Sequence, residues 1–327
     1  MTPPDTPLLQ VEDLKVHFPI YRGVIAKQVG AVKAVDGVSF TVNRGETLGL
    51  VGESGCGKST TGLAVLRMLD ITAGTITFDN IDITRHDRAA MRPFRRRIQM
   101  IYQDPFGSLD PRMTVSQLIA EPMIVHNLAK SAAEREDNAR ELLEMVGLRA
   151  DMASRYIHEF SGGQRQRIVI ARALAMRPDL LICDEPVSAL DVSIQAQIVN
   201  LFQEIQAKFG LTYLFVAHDL AVVRHISDRI AVMYLGRIVE IAGREELYNR
   251  PLHPYSKALM AAVPIPDPEI EATRPHITVQ GEVPSALNPP PGCRFHPRCP
   301  LAEARCRSEE PQLRDVGADQ SVACHLV

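Results

Sequence analysis

Apolar residues along this 327-residue chain fall into short runs whose period switches between that of a strand and that of a helix. LLQVEDLKVHF (8–18) and VSFTVNRGETLGLV (38–51) alternate or run apolar, with a polar, turn-like NRGE inside the second. Such runs predict strands. LAVLRML (63–69) is apolar and unbroken and predicts a buried helix, whereas GTITFDNIDI (74–83) is strand-like again. From about Asp104 to Phe160 the pattern turns helical. Ser131 and Glu134 have capping-box spacing, Leu142, Leu143, Met145 and Val146 form an apolar face, and Gly147 sits where a helix would stop. QRQRIVIARALAM (164–176) predicts another helix, closed by Pro178. DLLICDEP (179–186) is an apolar strand running into two acids, and LTYLFVAHD (211–219) repeats that plan with a histidine. Strands alternating with helices, apolar throughout, predict an α/β fold with a mostly parallel sheet. No solenoid-type repeat is visible.

The pattern changes after about Pro251. Pro264, Pro266, Pro268, Pro275, Pro284, Pro289, Pro290 and Pro291 rule out a regular helix or a central strand there, and predict an extended arm. That arm leads to CRFHPRCPLAEARC (293–306). Composition adds little: 46% apolar and 23% charged residues are ordinary for a globular protein, and a net charge of −3 gives no reason to expect nucleic acid. The N-terminus has neither a basic nor an apolar leader region, and no run approaches the roughly 18–20 apolar residues of a membrane span. A cytosolic chain with reduced thiols is therefore expected, which disfavours disulfides.

The sharpest motif is Gly52-Glu53-Ser54-Gly55-Cys56-Gly57-Lys58-Ser59, followed by Thr60. Glycines let successive backbone N–H groups turn inward to phosphate oxygens, and the helix that follows adds its positive end. Lys58 would reach the β- and γ-phosphates and Ser59 would ligate Mg²⁺. A chance Gly-rich turn is the plain alternative, disfavoured by the strand before and the helix after. Asp184 and Glu185 leave the end of a buried strand, where open α/β sheets place their ligands. Asp184 suits a Mg²⁺ role through water, and Glu185 suits the general base that polarises attacking water. Gln103 and His218 are further polar groups at apparent strand ends; either alone reads more readily as a satisfied edge residue than as a catalytic one. Arg95, Arg96 and Arg97 read as a solvated basic face, or as a patch facing membrane components.

Phe160-Ser161-Gly162-Gly163-Gln164 resembles the signature sequence of ABC ATPases, with Phe where Leu is commoner. The order of motifs over about residues 8–245 is also similar to that family: the cradle, Gln103, the signature, Asp184 and Glu185, Ser188 to Asp191, and His218. The resemblance implies an ABC-type P-loop NTPase, a RecA-like core with a mixed sheet and a helical subdomain at about 104–165, within an ATPase domain of 1–250. It implies that Phe18 stacks on adenine, that Gln103 completes the Mg²⁺ site, and that His218 acts as the switch histidine. It further implies that Ser161, Gly162, Gly163 and Gln164 close onto ATP held by a second subunit in a head-to-tail dimer. YQDPFGSLDPRMTV (102–115), LFVAHDLAVVRHISDRIAVMYLGRIVE (214–240) and RPLHPYSKALMAAVPIPDP (250–268) resemble the ATP-binding subunits of bacterial dipeptide and oligopeptide importers, in particular the second of their paired ATPases. On that resemblance 251–327 is the importer family's C-terminal extension. The implied partners are a homologous ATPase, two permease subunits and an extracytoplasmic peptide-binding protein, with the chain peripheral on the cytoplasmic face of the bacterial inner membrane. Nickel, glutathione or another small solute is the alternative cargo; a soluble regulatory ABC ATPase is the rival function.

Cys56 and Cys183 read as small packing residues. Cys293, Cys299, Cys306 and Cys324 are spaced C-x₅-C-x₆-C-x₁₇-C, unlike a zinc ribbon. Four thiolates on an irregular loop suit a 4Fe–4S cluster, a pattern some members of the resembled family share; zinc, with His296 or His325, and unliganded thiols are the alternatives.

Overall fold

The computed structural model describes residues 6–23, 27–104, 107, 109–263 and 281–327. The prolines expected to form an arm between Pro264 and Pro275 lie outside the described residues, as do three positions of the run 102–115. By packing, the chain divides into two units, one of residues 1–42, 47–85 and 218–327, the other of 43–46 and 86–217.

In the first unit, β1 (Leu9–Arg22) and β2 (Lys27–Val42) form a long antiparallel pair, and β4 (Ala73–Phe78) and β5 (Ile81–Asp82) extend it in the order β2-β1-β4-β5. Leu9, Val11, Leu14 and Val16 are buried at nearly alternate positions, with a register shift absorbing the break between Val11 and Leu14. That alternation is the period-2 signal of a half-buried strand. A second set runs β3 (Thr47–Val51), parallel to β9 (Arg229–Tyr234), then β10 (Arg237–Gly243) antiparallel to β9. Two short strands, Arg314–Asp315 and Ser321–Val322, add to the β10 edge. β3 is buried at all five positions, and the helix Leu220–Ile226 packs on it, with Val223 against Gly49; α1 (Lys58–Val65) follows β3 in the chain. The expected helix 63–69 stops early: α1 ends at Val65, and Met68 is exposed rather than buried.

The second unit holds three parallel strands, β6 (Ile98–Ile101), β7 (Leu180–Asp184) and β8 (Thr212–Ala217). β7 and β8 are buried throughout, which is why their sequences are continuously apolar. Its helices include α3 (Val115–Val125), α4 (Ala132–Met145), α5 (Gly162–Leu174) and α6 (Val192–Phe209). Ser131 caps α4 by accepting from the Glu134 N–H at 3.1 Å. The reciprocal bond is displaced by one residue, since Glu134 accepts from the N–H of Lys130. Gly147 ends this stretch at φ 75°, as expected. Within the first unit, β9 pairs parallel with β3 and antiparallel with β10, the mixed pairing of an α/β fold. Arg97 on α2 (Arg92–Arg97) pairs with Asp179 at 2.5 Å, and Arg96 is exposed. Among the described residues, no helix is long and apolar enough to cross a membrane.

Candidate functional site

β3 delivers the chain into the loop Gly52–Gly57. Gly52 and Gly57 have φ of 154° and 108°, and a Cβ there would stand 2.1 Å from the Met233 carbonyl oxygen and 2.2 Å from that of Ala34. Neither position admits a side chain, so the loop can curl only because both residues are glycine. The N–H of Cys56 donates to Glu53 O at 3.2 Å and tightens the turn. Lys58, the first residue of α1, is buried. Its Nζ donates to Gly52 O at 2.8 Å and Glu53 O at 3.1 Å, and lies 3.8 Å from Cys56 Sγ. An ammonium is thus held within the curl of the loop, beside exposed Ser54 and Gly55, with Ser59 and Thr60 half-buried on the first turn of α1. A positive helix start, inward backbone and a fixed cation together favour a phosphate. Burial pushes the Cys56 and Cys183 thiols up, and both pack as small apolar groups.

In the second unit the parallel register sets Ile101 beside Cys183, so β6 and β7 end together. Gln103 and Glu185 leave those ends, and Gln103 Nε2 donates to Glu185 Oε2 at 2.8 Å. Asp184, one residue earlier, is buried. Glu185 has φ 47°, a left-handed conformation costly for a side-chain-bearing residue. Its N–H donates to Val216 O at 2.8 Å, and its carbonyl accepts from the Ser188 hydroxyl at 3.0 Å, which holds the strained turn in place. The outcome is a carboxylate aimed by an amide donor at the end of a parallel sheet, where a general base is useful.

Ser161 caps α5: its Oγ accepts from Gln164 N–H at 3.4 Å and its own N–H donates to Gln164 Oε1 at 3.0 Å. A Cβ at Gly163 would meet Ile194 at 2.5 Å, so this glycine permits close packing of α5 on α6. Asp191 caps α6 through the N–H of Ile194, and bonds from Ser193 hold its carboxyl below the usual range.

His218 is exposed and directly follows β8 in the chain. Phe18 on β1 is 40% exposed, while His17 turns to Asp36, with Nε2 2.8 Å from Oδ1. The ring of Phe18 is the one presented outward.

The four C-terminal cysteines come together. The N–H of Cys293 donates to Cys306 O at 2.9 Å. Burial and then the neighbouring thiols push Cys293 up to about 11 and also raise Cys299 and Cys324. Among the described residues, however, no group of three or more His, Cys, Asp or Glu side chains could hold a metal ion as it stands. The expected 4Fe–4S or zinc centre is therefore not supported by this geometry.

Three residues that matter to the site were not singled out from the sequence. Arg298 forks onto the Glu53 carboxylate, Arg294 pairs with Asp36, and Tyr255 Oη accepts from the Glu53 N–H. For the two arginines the signal was their place between the cysteines of the arm, and Tyr255 lay in the quoted run 250–268 without a role of its own.

Two family models match the chain: ABC transporter over residues 35–188, and the oligopeptide/dipeptide transporter C-terminal region over residues 239–306. The oligopeptide transport ATP-binding protein AppF of Bacillus subtilis is 52% identical over 320 residues, covering 98% of this chain and 97% of that protein. A putative oligopeptide transport ATP-binding protein of the same organism, YkfD, is 53% identical over 98% of this chain and 95% of its own length. Among solved structures, the dimeric ATP-binding cassette MJ0796 bound to ADP and Pi aligns with a TM-score of 0.65 at 28% identity, covering 72% of this chain and 98% of that one.

Proposed function

This chain belongs to the ATP-binding proteins of oligopeptide ABC transporters, and on that premise we propose that it hydrolyses ATP to drive peptide import. The observation that carries the reading is the near full-length likeness to AppF, which spans both the ATPase segment and the transporter-specific C-terminal region. Lys58 binds the terminal phosphates inside the loop, and Ser59, Asp184 and Gln103 would hold Mg²⁺, whose charge offsets that of the phosphates. Glu185 polarises the attacking water, aimed by Gln103, and His218 reads the state of the γ-phosphate. Phe18 stacks on the base. The capped helix start at Ser161 to Gln164 serves ATP held on a second, homologous ATPase, and the pair sits peripherally on two permeases fed by an extracytoplasmic peptide-binding protein. Residues 1–250 form the ATPase domain, and 251–327 the transporter-specific extension.

The likeness to relatives named for oligopeptide transport supports peptide as cargo over nickel or glutathione. Peptide uptake by cells carrying Glu185→Gln here and the matching change in the partner ATPase tests this. Uptake should be lost while ATP still binds; unchanged uptake would refute the role.

We further propose a 4Fe–4S cluster as the ligand of the arm on the chemistry of its four cysteines alone, since their side chains as they stand form no metal site among the described residues. Iron content of anaerobically purified protein decides: about four irons per chain fits a [4Fe–4S] centre, and one zinc without iron does not.

A further inference from the structure

Glu53, in the phosphate loop, is held at each of its polar groups. Its carbonyl accepts from Lys58 Nζ at 3.1 Å and its N–H donates to Tyr255 Oη at 2.9 Å. Arg298 Nη1 and Nη2 reach its two carboxylate oxygens at 2.8 and 3.1 Å. Tyr255 and Arg298 both come from beyond residue 250, from segments 202 and 245 residues away along the chain. Their own placement is rigid. Phe295, fully buried, packs its ring 5.2 Å from Tyr234 and 5.4 Å from Tyr255, and the neighbouring Arg294 is buried against Asp36. The Arg298 guanidinium lies over the Tyr234 ring, 5.9 Å from its centre. Its Nη1 also reaches Tyr234 Oη, at 3.5 Å, and its Nε is buried with no partner among the described residues, so the two-pronged bond to Glu53 is its shortest tie.

We propose that Arg298 is a positioning residue for ATP binding: it neutralises Glu53 beside the phosphates and locks the loop in its curled form. The inference rests on the reading of this loop as an ATP site. A carboxylate left unpaired at that point would repel a triphosphate, and a loop released from one anchor would lose its preorganised N–H groups.

The test is a fluorescent ATP-analogue titration of the full-length chain, comparing wild type with Arg298→Ala, Arg298→Lys, Glu53→Gln and the double variant Glu53→Gln/Arg298→Ala. Arg298→Ala should weaken binding by about tenfold or more, the size of a charge-assisted bidentate pair. Arg298→Lys keeps the charge without the fork and should fall between. Glu53→Gln should recover part of the affinity lost in Arg298→Ala, because it removes the exposed charge. A change that merely loosened the arm would not be rescued in this way. Arg298→Ala binding within twofold of wild type, or weakened binding that Glu53→Gln does not relieve, overturns the proposal. Failure of the wild-type chain to bind the analogue would overturn the ATP-site reading as well, which separates the two.

Discussion

The phosphate loop and the cysteine-rich arm belong to the same unit, both hold Glu53, and they are built in opposite ways. The loop is local: Lys58 bonds to carbonyls five and six residues back, and Gly52 and Gly57 supply the turn within a single short segment. The arm is non-local: Arg294 and Arg298 reach partners 258 and 245 residues away, and Phe295 sits among Tyr234 and Tyr255. Local construction makes a site recognisable from eight residues, while non-local construction makes one that only the folded chain assembles. The difference teaches that the chemistry of this molecule and the rigidity of its chemistry come from different parts of the sequence.

The largest expected effect falls on the local side. Lys58→Ala should lower ATP hydrolysis in the assembled complex by about 10²–10³-fold, the usual loss for one preorganised donor to developing charge. A steady-state phosphate-release assay checks it; a loss below tenfold would mean the loop does not work through this ammonium. Next comes Gly57→Ala, which would force a Cβ against Ala34 O and a φ of 108° on alanine. Thermal or denaturant unfolding should show about 1–3 kcal/mol of destabilisation, and ATP binding should fall with it.

The non-local side should respond to acid. His253 caps the helix Pro254–Ala261, which carries Tyr255, by accepting from the Tyr255 N–H at 3.0 Å through Nδ1. Burial holds its pKa down at about 3, so it folds as the neutral imidazole. Its folded value lies below the unfolded one near about 6.5. The stability it contributes is therefore complete above about pH 6.5 and declines as pH falls toward about 3, by about 1.4 kcal/mol per unit at most. Chemical denaturation at pH 7 and pH 5 should show that loss, and His253→Gln should flatten it; identical slopes in the two proteins would remove His253 from the account. Burial opposes ionisation of Asp36, but bonds from His17 and Arg294 outweigh it and keep its pKa below the usual range, so its share is present above about pH 4 and lost below. The smallest effect belongs to Phe18, whose ring is 40% exposed. Phe18→Ala should weaken ATP binding by about 0.5–1.5 kcal/mol, the worth of one aromatic stacking contact, with hydrolysis at saturating ATP retained.

Much of the fold was legible because burial is uniform where the sequence is. β3, β7 and β8 are covered on both faces, and LGLV, LLIC and YLFVA carry no polar interruption. β2 was harder. Its first three residues, Lys27 to Val29, are exposed and the next five half-buried, and the lysines and glycine there break the alternation that marks a strand. The helix expected at 63–69 is cut short after Val65, because Arg67 takes φ 52°, a turn that the apolar residues on either side of it do not signal. Glu185 was legible as a carboxylate at a strand end, but its left-handed backbone was not, because the bonds from Val216 and Ser188 that sustain it appear only on folding. Arg298 was invisible as a partner of Glu53 for the same reason. Nothing in FHPRC says that its arginine reaches back to the phosphate loop.

The central claim, that Glu185 is the base of an ATP-hydrolysing site whose loop binds the nucleotide independently, is tested most directly by Glu185→Gln in the assembled transporter. ATP affinity and turnover should be measured on the same sample, with the partner ATPase's corresponding glutamate also replaced. Turnover falling by about 10²–10⁴-fold, the contribution of a general base, with affinity within a few-fold of wild type, is the predicted result. Turnover that persists at the wild-type rate would contradict it.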